Sequence, residues 1–182
     1  MYALIQNNSV AAYPYSVAQL RRDNPNVSFP EQMSDSVLAE WNVYPVAPVT
    51  PPAHDDLMEN LVEGTPVLVG DAWTQTWSVV AATPEQIAER QEAIRSRITR
   101  RVQQRLDDFA ATRGYDNIVS ACSYATSQHA KYGPEGRYCV TAREDTWDVM
   151  FQIEASVVAG TRPMPRSYEE IEPDLPVLAW PI

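Results

Sequence analysis

Residues 83–114 read TPEQIAERQEAIRSRITRRVQQRLDDFAATRG, and no other stretch of the chain has so regular an apolar pattern. It opens with a capping box, in which Thr83 accepts a hydrogen bond from a free N–H group, Pro84 starts the helix and Gln86 completes the motif. Six apolar residues then recur at spacings of 7, 4, 4, 4 and 3: Ile87, Ile94, Ile98, Val102, Leu106 and Phe109. On a helix these residues share one stripe, and Gly114 is a natural stop. The sequence therefore predicts one long amphipathic helix over residues 83–113.

This helix separates two parts of different character. Residues 1–82 contain 9 acidic and 2 basic residues, whereas residues 83–182 contain 15 acidic and 12 basic residues. Extended segments, turns and prolines precede the helix, and helical patterns follow it. We therefore expect an α+β fold with two domains. A small acidic α+β domain with two β-hairpins spans residues 1–82, and the long helix joins it to a C-terminal α-helical hairpin or bundle over residues 83–182.

Two hairpins are predicted in the N-terminal part. The first pairs residues 1–5 with residues 10–13 around an Asn-rich turn and ends at Pro14. The second pairs residues 67–69 with residues 73–80 around Gly70-Asp71, after an acidic linker over residues 54–63. Trp73 and Trp77 share one face of its second strand. They are expected to belong to the core of a small sheet, and a platform that stacks a sugar ring is the alternative.

A second long helix is predicted from Glu135 to about Ala159, after a break at Gly133-Pro134. Its apolar face is unusually wide, so we expect it to be the most buried element. The apolar residues of this face are Cys139, Val140, Ala142, Trp147, Met150, Phe151, Ile153, Val157 and Val158. The sequence after Asp174 carries no charge, which predicts that it packs against another part of the protein.

Composition and motifs argue against several classes of function. The chain has 182 residues and a net charge of −10, which disfavours binding to nucleic acid. It contains no signal-peptide pattern and no apolar run long enough to cross a membrane, so we expect a soluble protein made in a cytoplasm. Cys122 and Cys139 are expected to be buried reduced thiols, with a disulfide or a metal-binding pair as the alternative. His54 and His129 have no second His or Cys at metal-ligand spacing. No catalytic or phosphate-binding motif is present, so we expect no enzyme activity, cofactor or metal.

The long helix carries a row of arginines on one flank of its apolar stripe. Arg90, Arg97 and Arg101 project to this flank, and no acidic residue lies three or four positions from Arg97 or Arg101. The interpretation is an interaction surface that faces an acidic surface. That surface could belong to residues 1–82 of this chain, to a second copy in a homo-oligomer through the helix, or to another protein. Trp180 is a further candidate, because it lies in the uncharged end of the sequence. An ordinary solvated basic flank is the alternative.

Both halves of the chain resemble proteins of bacteriophage tails. The resemblance in the first half lies in Met1-Tyr-Ala-Leu-Ile5, Tyr13-Pro-Tyr-Ser16, Leu20-Arg-Arg-Asp-Asn-Pro-Asn-Val-Ser-Phe-Pro30, Leu38-Ala-Glu40, and Trp73 and Trp77 leading into Thr83-Pro-Glu-Gln-Ile-Ala88. The second half is similar to a domain of unknown function in phage tail-fibre and tail-associated proteins, through Tyr115-Asp-Asn-Ile-Val-Ser-Ala-Cys-Ser-Tyr124, Tyr138-Cys139, Trp147 and Leu178-Ala-Trp-Pro181. These segments are structural and include no active site.

The resemblance implies a structural component of a phage tail, acting as an adaptor at the baseplate or at the tail-fibre attachment. Its partners would be other tail, baseplate or fibre proteins. It would be found in the virion tail, and in the host cytoplasm during assembly. A tail-fibre assembly chaperone that is absent from the mature particle is the first alternative. A glycan-binding accessory module that uses Trp73 and Trp77 is the second.

Overall fold

The computed structural model describes residues 1–181, and its contacts divide the chain into two compact units. The first unit runs from Met1 to Ile87, and the second begins at Ala88. The protein is of the mixed α+β class, with one five-stranded sheet and five α-helices among the described residues. The division into domains of residues 1–82 and 83–182 stays a prediction.

The first unit is built on the sheet. Its elements in chain order are β1 (Tyr2–Gln6), β2 (Ser9–Tyr15), α1 (Val17–Asp23), α2 (Asp35–Glu40), β3 (Val43–Ala47), β4 (Glu59–Val69) and β5 (Ala72–Ala81). The strand order is β2-β1-β3-β5-β4. All neighbouring strands pair antiparallel except β3 and β5, which are parallel.

The turn between β1 and β2 has the conformation expected for a two-residue hairpin. Asn7 and Asn8 adopt φ angles of 49° and 61°, which asparagine tolerates better than most residues. The prediction that Pro14 ends the hairpin is wrong, because β2 continues to Tyr15. Strand β2 lies at the edge of the sheet, and its register with β1 shifts beside Pro14, two settings in which a strand tolerates proline.

The second hairpin is longer than the sequence predicts. Gly70 adopts a φ of 60° in the turn, and β4 reaches back to Glu59. Residues 59–63 therefore form a strand paired with the end of β5, and the prediction of a linker up to residue 63 is wrong. The polar residues that suggested a linker fit into this strand because most residues of β4 are exposed or only partly buried.

Apolar residues cover both faces of β1. Ala3 and Ile5 pack with Val46 on one face. On the other face, Tyr2 and Leu4 pack against a cluster of buried residues from α1, α2 and the neighbouring strands, namely Tyr15, Leu20, Leu38 and Val43. Side chains therefore alternate between the two faces of β1, which lies inside the sheet between β2 and β3.

The long helix α3 (Pro84–Ala111) begins in the first unit and continues into the second. Its capping box is formed: the Thr83 hydroxyl accepts from the Gln86 N–H at 3.3 Å, and the Gln86 side chain accepts from the Thr83 N–H at 3.0 Å. Gly114 follows with a φ of 86°. The second unit also contains α4 (Ile118–Cys122), α5 (Tyr132–Val158) and a short 3-10 turn (Glu172–Asp174).

Helix α5 starts before the glycine and proline that were expected to precede it. Pro134 lies in the first turn, where its missing N–H group has no helical partner to lose. A Cβ atom on Gly133 would lie 2.3 Å from the Ser127 oxygen, and one on Gly136 would lie 2.5 Å from the Ala125 nitrogen. The two glycines therefore allow the chain after α4 to approach α5 closely, and the predicted position of the break is wrong.

The core of the second unit lies between α3 and α5 and under the segment of residues 164–181, which we call the C-terminal strap. One cluster combines Ile98, Val102 and Ile153 with strap residues Tyr168, Ile171 and Leu175. A second cluster is formed by residues of all three helices and of the loop after α3, namely Leu106, Ala110, Tyr115, Ile118, Ala121 and Cys139. The apolar stripe of α3 is thus used as predicted from Ile98 onward.

Candidate protein-interaction site

A wide apolar groove opens on the second unit between α3, α5 and the start of the strap. Its volume is about 350 Å³. Most of its lining is apolar and comes from α5, and the lining residues are Arg95, Ile98, Thr99, Trp147, Met150, Phe151, Ile153, Glu154, Val157, Val158, Met164, Pro165 and Ile171. A concave surface of this composition on a charged protein is a typical binding site for an apolar partner.

Two large apolar side chains of α5 stand out beside the groove. Phe151 is 64% exposed and Val158 is 82% exposed. With Trp147 and Glu154 they follow spacings of 4, 3 and 4, so the four residues share one face of the helix. Ile153 faces inward and is buried. The expectation that α5 is the most buried element is therefore wrong, because one apolar stripe packs on α3 and the other faces outward.

The rim of the groove carries one basic and one acidic side chain. The Arg95 guanidinium lies 3.1 Å from the Glu92 carboxylate on its own helix and 3.6 Å from the Glu154 carboxylate on α5. Each of these side chains is more than half exposed. Exposed ion pairs of this kind contribute only ~0–1 kcal/mol to folding stability. Arg95 and Glu154 can therefore form ion pairs with other charged groups at little cost in free energy.

Two of the three arginines predicted to form an interaction surface, Arg97 and Arg101, lie against the strap. Arg97 donates from Nη2 to the main-chain oxygen of Arg166 at 2.8 Å. Arg101 lies over the Tyr168 ring at 5.1 Å and 3.9 Å from Asp108. Arg90 is half-buried on α3. Arg97 and Arg101 therefore both contact residues of the strap and help to hold it on α3.

Arg105 extends this row by one more turn, and sequence reasoning missed its role. Its Nη2 donates to the main-chain oxygen of Pro176 at 2.5 Å. Its Nη1 is buried without a hydrogen-bond partner among residues 1–181. The spacing of four residues between Arg97, Arg101 and Arg105 predicts that the three side chains share one face of the helix. The sequence does not show that main-chain carbonyl groups of the strap accept hydrogen bonds from this face.

Trp180 packs inside the second unit. Its ring stacks on Phe109 at 4.3 Å, and its Nε1 donates to the Thr112 hydroxyl at 2.8 Å. The Arg113 guanidinium lies 5.3 Å from the centre of the same ring. These contacts explain the uncharged end of the sequence, because Trp180 fixes the strap to the end of α3.

A buried carboxylate lies near the same place. Glu135 is 3% exposed and accepts from Arg113 Nη1 and from the Tyr115 hydroxyl, each at 2.7 Å. Burial, followed by the hydrogen bond to Glu135, raises the pKa of Tyr115 above its usual value. Both oxygens of Glu135 are thus occupied by internal partners, which favours a structural role for this residue.

Trp73 and Trp77 are both half-buried on β5. Trp73 packs against the cluster of Ala3, Ile5 and Val46. Trp77 donates from Nε1 to the main-chain oxygen of Val49 at 3.1 Å. The two rings therefore have neighbours within the first unit, and neither is a freely presented flat surface.

The two cysteines and His54 are the remaining candidates for chemistry. Cys122 and Cys139 are free thiols, and burial raises the pKa of Cys139 to about 11 and that of Cys122 above its usual value. His54 pairs with Asp56 at 2.8 Å. Among residues 1–181, no group of three His, Cys, Asp or Glu side chains is arranged to hold a metal ion. None of the helices in this range has the length and apolar character needed to cross a bilayer.

No family model, curated protein or solved structure matches the chain. In the second unit, burial raises the pKa of both thiols, and both carboxylate oxygens of Glu135 accept hydrogen bonds from Arg113 and Tyr115. The groove beside Phe151 is the most distinctive external feature of this unit.

Proposed function

We propose that the protein is a non-catalytic component of a bacteriophage tail, an adaptor at the baseplate or at the tail-fibre attachment that works by binding other tail proteins. The observation that supports an assembly role is the apolar groove with Phe151 and Val158 exposed at its edge. Leaving such side chains in water is unfavourable by about 25 cal/mol per Å² of apolar surface, so a complex with a partner that covers them is stabilised.

The proposal includes the finer description of the fold. A small N-terminal unit with two β-hairpins is followed by the long helix α3 and a helical bundle that contains α5. The antiparallel hairpins β1–β2 and β4–β5 and the packing of Ile98 and Val102 on Ile153 support this description. Such a chain presents separate surfaces on two compact units, which suits an adaptor with more than one neighbour.

An adaptor stays in the mature particle, whereas an assembly chaperone does not. Mass spectrometry of purified virions of the phage that encodes this chain, beside the infected-cell lysate, measures it directly. We expect peptides of this protein in the particle at a fixed ratio to a known tail protein. Abundance in the lysate with none in purified particles would refute the adaptor and support the assembly chaperone.

A further inference from the structure

We propose that the groove binds the same face of a second copy of this chain, so that the protein self-associates through α5 about a two-fold axis. In this arrangement Phe151 of each copy enters the groove of the other. The inference deepens the proposed assembly role and rests on it. It names a partner surface, which is the α5 face itself.

The first argument is shape. A two-fold interface requires a patch that is complementary to itself, with each projecting group placed beside the cavity that receives its symmetry mate. The face of α5 has both parts: Phe151 and Val158 project, and the groove of about 350 Å³ lies directly beside them because the two residues also line it. Phe151 and Val158 are seven residues apart, or about 10 Å along the helix. One helix face therefore offers two anchors and a receiving cavity.

The second argument is the helical spacing. Trp147, Phe151, Glu154 and Val158 alternate by four and three residues, as do the contact residues of paired helices. A helix that already packs one stripe on α3 and carries a second stripe at this spacing is able to pair with another helix. The same spacing in a second copy supplies that helix.

The third argument is charge. Arg95 and Glu154 place opposite charges on the rim of one groove. A two-fold axis at this face brings Arg95 of one copy toward Glu154 of the other and does the same for the reciprocal pair. A partner surface with charges of only one sign would meet a like charge at one of these positions, whereas the same face of a second copy carries both signs. The arginines that would attract an acidic partner, Arg97 and Arg101, are held against the strap instead.

The first experiment measures the molar mass of the purified full chain over a range of concentrations, by sedimentation velocity and by light scattering after size exclusion. We expect a monomer–dimer equilibrium for the wild type. Phe151→Glu should weaken the dimer by at least about tenfold, because it places a charge in an apolar interface. Val119→Glu is the matched control, since Val119 is a 59% exposed apolar residue on α4 and should leave the equilibrium unchanged. Circular dichroism of each variant tests whether the fold is retained.

The second experiment tests the two-fold geometry by complementation. Arg95→Glu and Glu154→Arg should each weaken the homodimer, because each variant brings like charges together. Mixed in equal amounts, the two variants should form a heterodimer. The glutamate introduced into one copy then faces the arginine introduced into the other, and the native pair of Arg95 and Glu154 forms at the second position. Native mass spectrometry resolves the heterodimer if one variant carries an affinity tag.

Three results would overturn the inference: a wild type that is monomeric throughout, a dimer insensitive to Phe151→Glu, or variants that fail to complement each other. A monomeric protein found in virions would refute self-association and leave the adaptor role standing. A dimer absent from virions would refute the adaptor and leave self-association established.

Discussion

The Arg113 guanidinium lies 2.7 Å from the carboxylate of Glu135, and the two residues are 22 positions apart. The side chain of Glu135 is only 4% exposed, whereas that of Arg113 is 39% exposed. The pair thus joins the segment just after α3 to the first turn of α5. Among the ion pairs of the described residues, it contains the most deeply buried side chain.

Removal of Arg113 should strongly destabilise the second unit. Arg113→Ala leaves a buried carboxylate with Tyr115 as its remaining partner, and we expect a loss of ~3 kcal/mol in the free energy of unfolding. Chemical denaturation followed by far-UV circular dichroism measures this value. Arg162→Ala is the control, because it removes a similar contact to Asp174 whose side chain is 44% exposed, and it should cost at most ~1 kcal/mol. Equal losses in the two variants would contradict the role assigned to burial.

Charge reversal at the helix should loosen the strap. Arg97→Glu combined with Arg101→Glu removes the hydrogen bond to the Arg166 carbonyl and the contact with the Tyr168 ring. We expect faster limited proteolysis between Ala159 and Tyr168, mapped by mass spectrometry, with helix content nearly unchanged. Arg100→Glu with Arg143→Glu carries the same change in net charge at exposed positions and serves as the control. Equal cleavage rates in the two double variants would show that the strap does not depend on these arginines.

Stability of the first unit should fall in alkaline solution through Tyr15. Its hydroxyl donates to Asp23 at 2.6 Å, and burial followed by this hydrogen bond raises the pKa of Tyr15 from 10.0 to about 12. Because the folded pKa is the higher one, the contribution of Tyr15 is complete below pH 10 and is lost as the pH rises from 10 to about 12. Tyr15→Phe should therefore flatten the decline of unfolding free energy over this range. An unchanged slope in denaturation curves would refute the assignment.

Trp77 should contribute to stability and not to glycan binding. Trp77→Ala removes a half-buried ring and the hydrogen bond to Val49, and we expect a loss of ~2–3 kcal/mol in unfolding free energy. Trp77→Phe keeps a ring and should cost ~1 kcal/mol. Thermal unfolding gives these differences, and a binding assay with host surface polysaccharide accompanies it. Normal stability with abolished polysaccharide binding in Trp77→Ala would instead support the glycan-binding alternative.

Local signals in the sequence were sufficient for the elements that depend on neighbours in the chain. The capping box of Thr83 and Gln86 and the asparagines of the first turn act within a few residues, so their patterns predict the start of α3 and the β1–β2 turn. Pro14 and Pro134 were predicted to end or to precede an element, but each lies inside one. The free-energy cost of a proline depends on its position in the strand or helix. At a strand edge or in a first helical turn the missing N–H is not needed.

The candidate site depended on contacts between distant segments. The partner of Arg97 lies 69 residues away and is a main-chain oxygen, so no search for nearby acids identifies it. The apolar residues of α5 exceed what one packing stripe can bury, and this excess was visible in the sequence. The positions of α3 and the strap determine which of these residues stay exposed. Those positions depend on tertiary contacts between distant segments, which the local sequence does not specify.

The strap has a consequence for synthesis. Tyr168, Ile171 and Leu175 complete a core cluster that otherwise consists of residues from α3 and α5. While a ribosome makes the chain, the first unit can fold once β5 has emerged, but the second unit keeps part of its core open until Leu175 is free. A chain interrupted before that point leaves apolar surface of α3 and α5 uncovered, and such surface is what chaperones and proteases recognise.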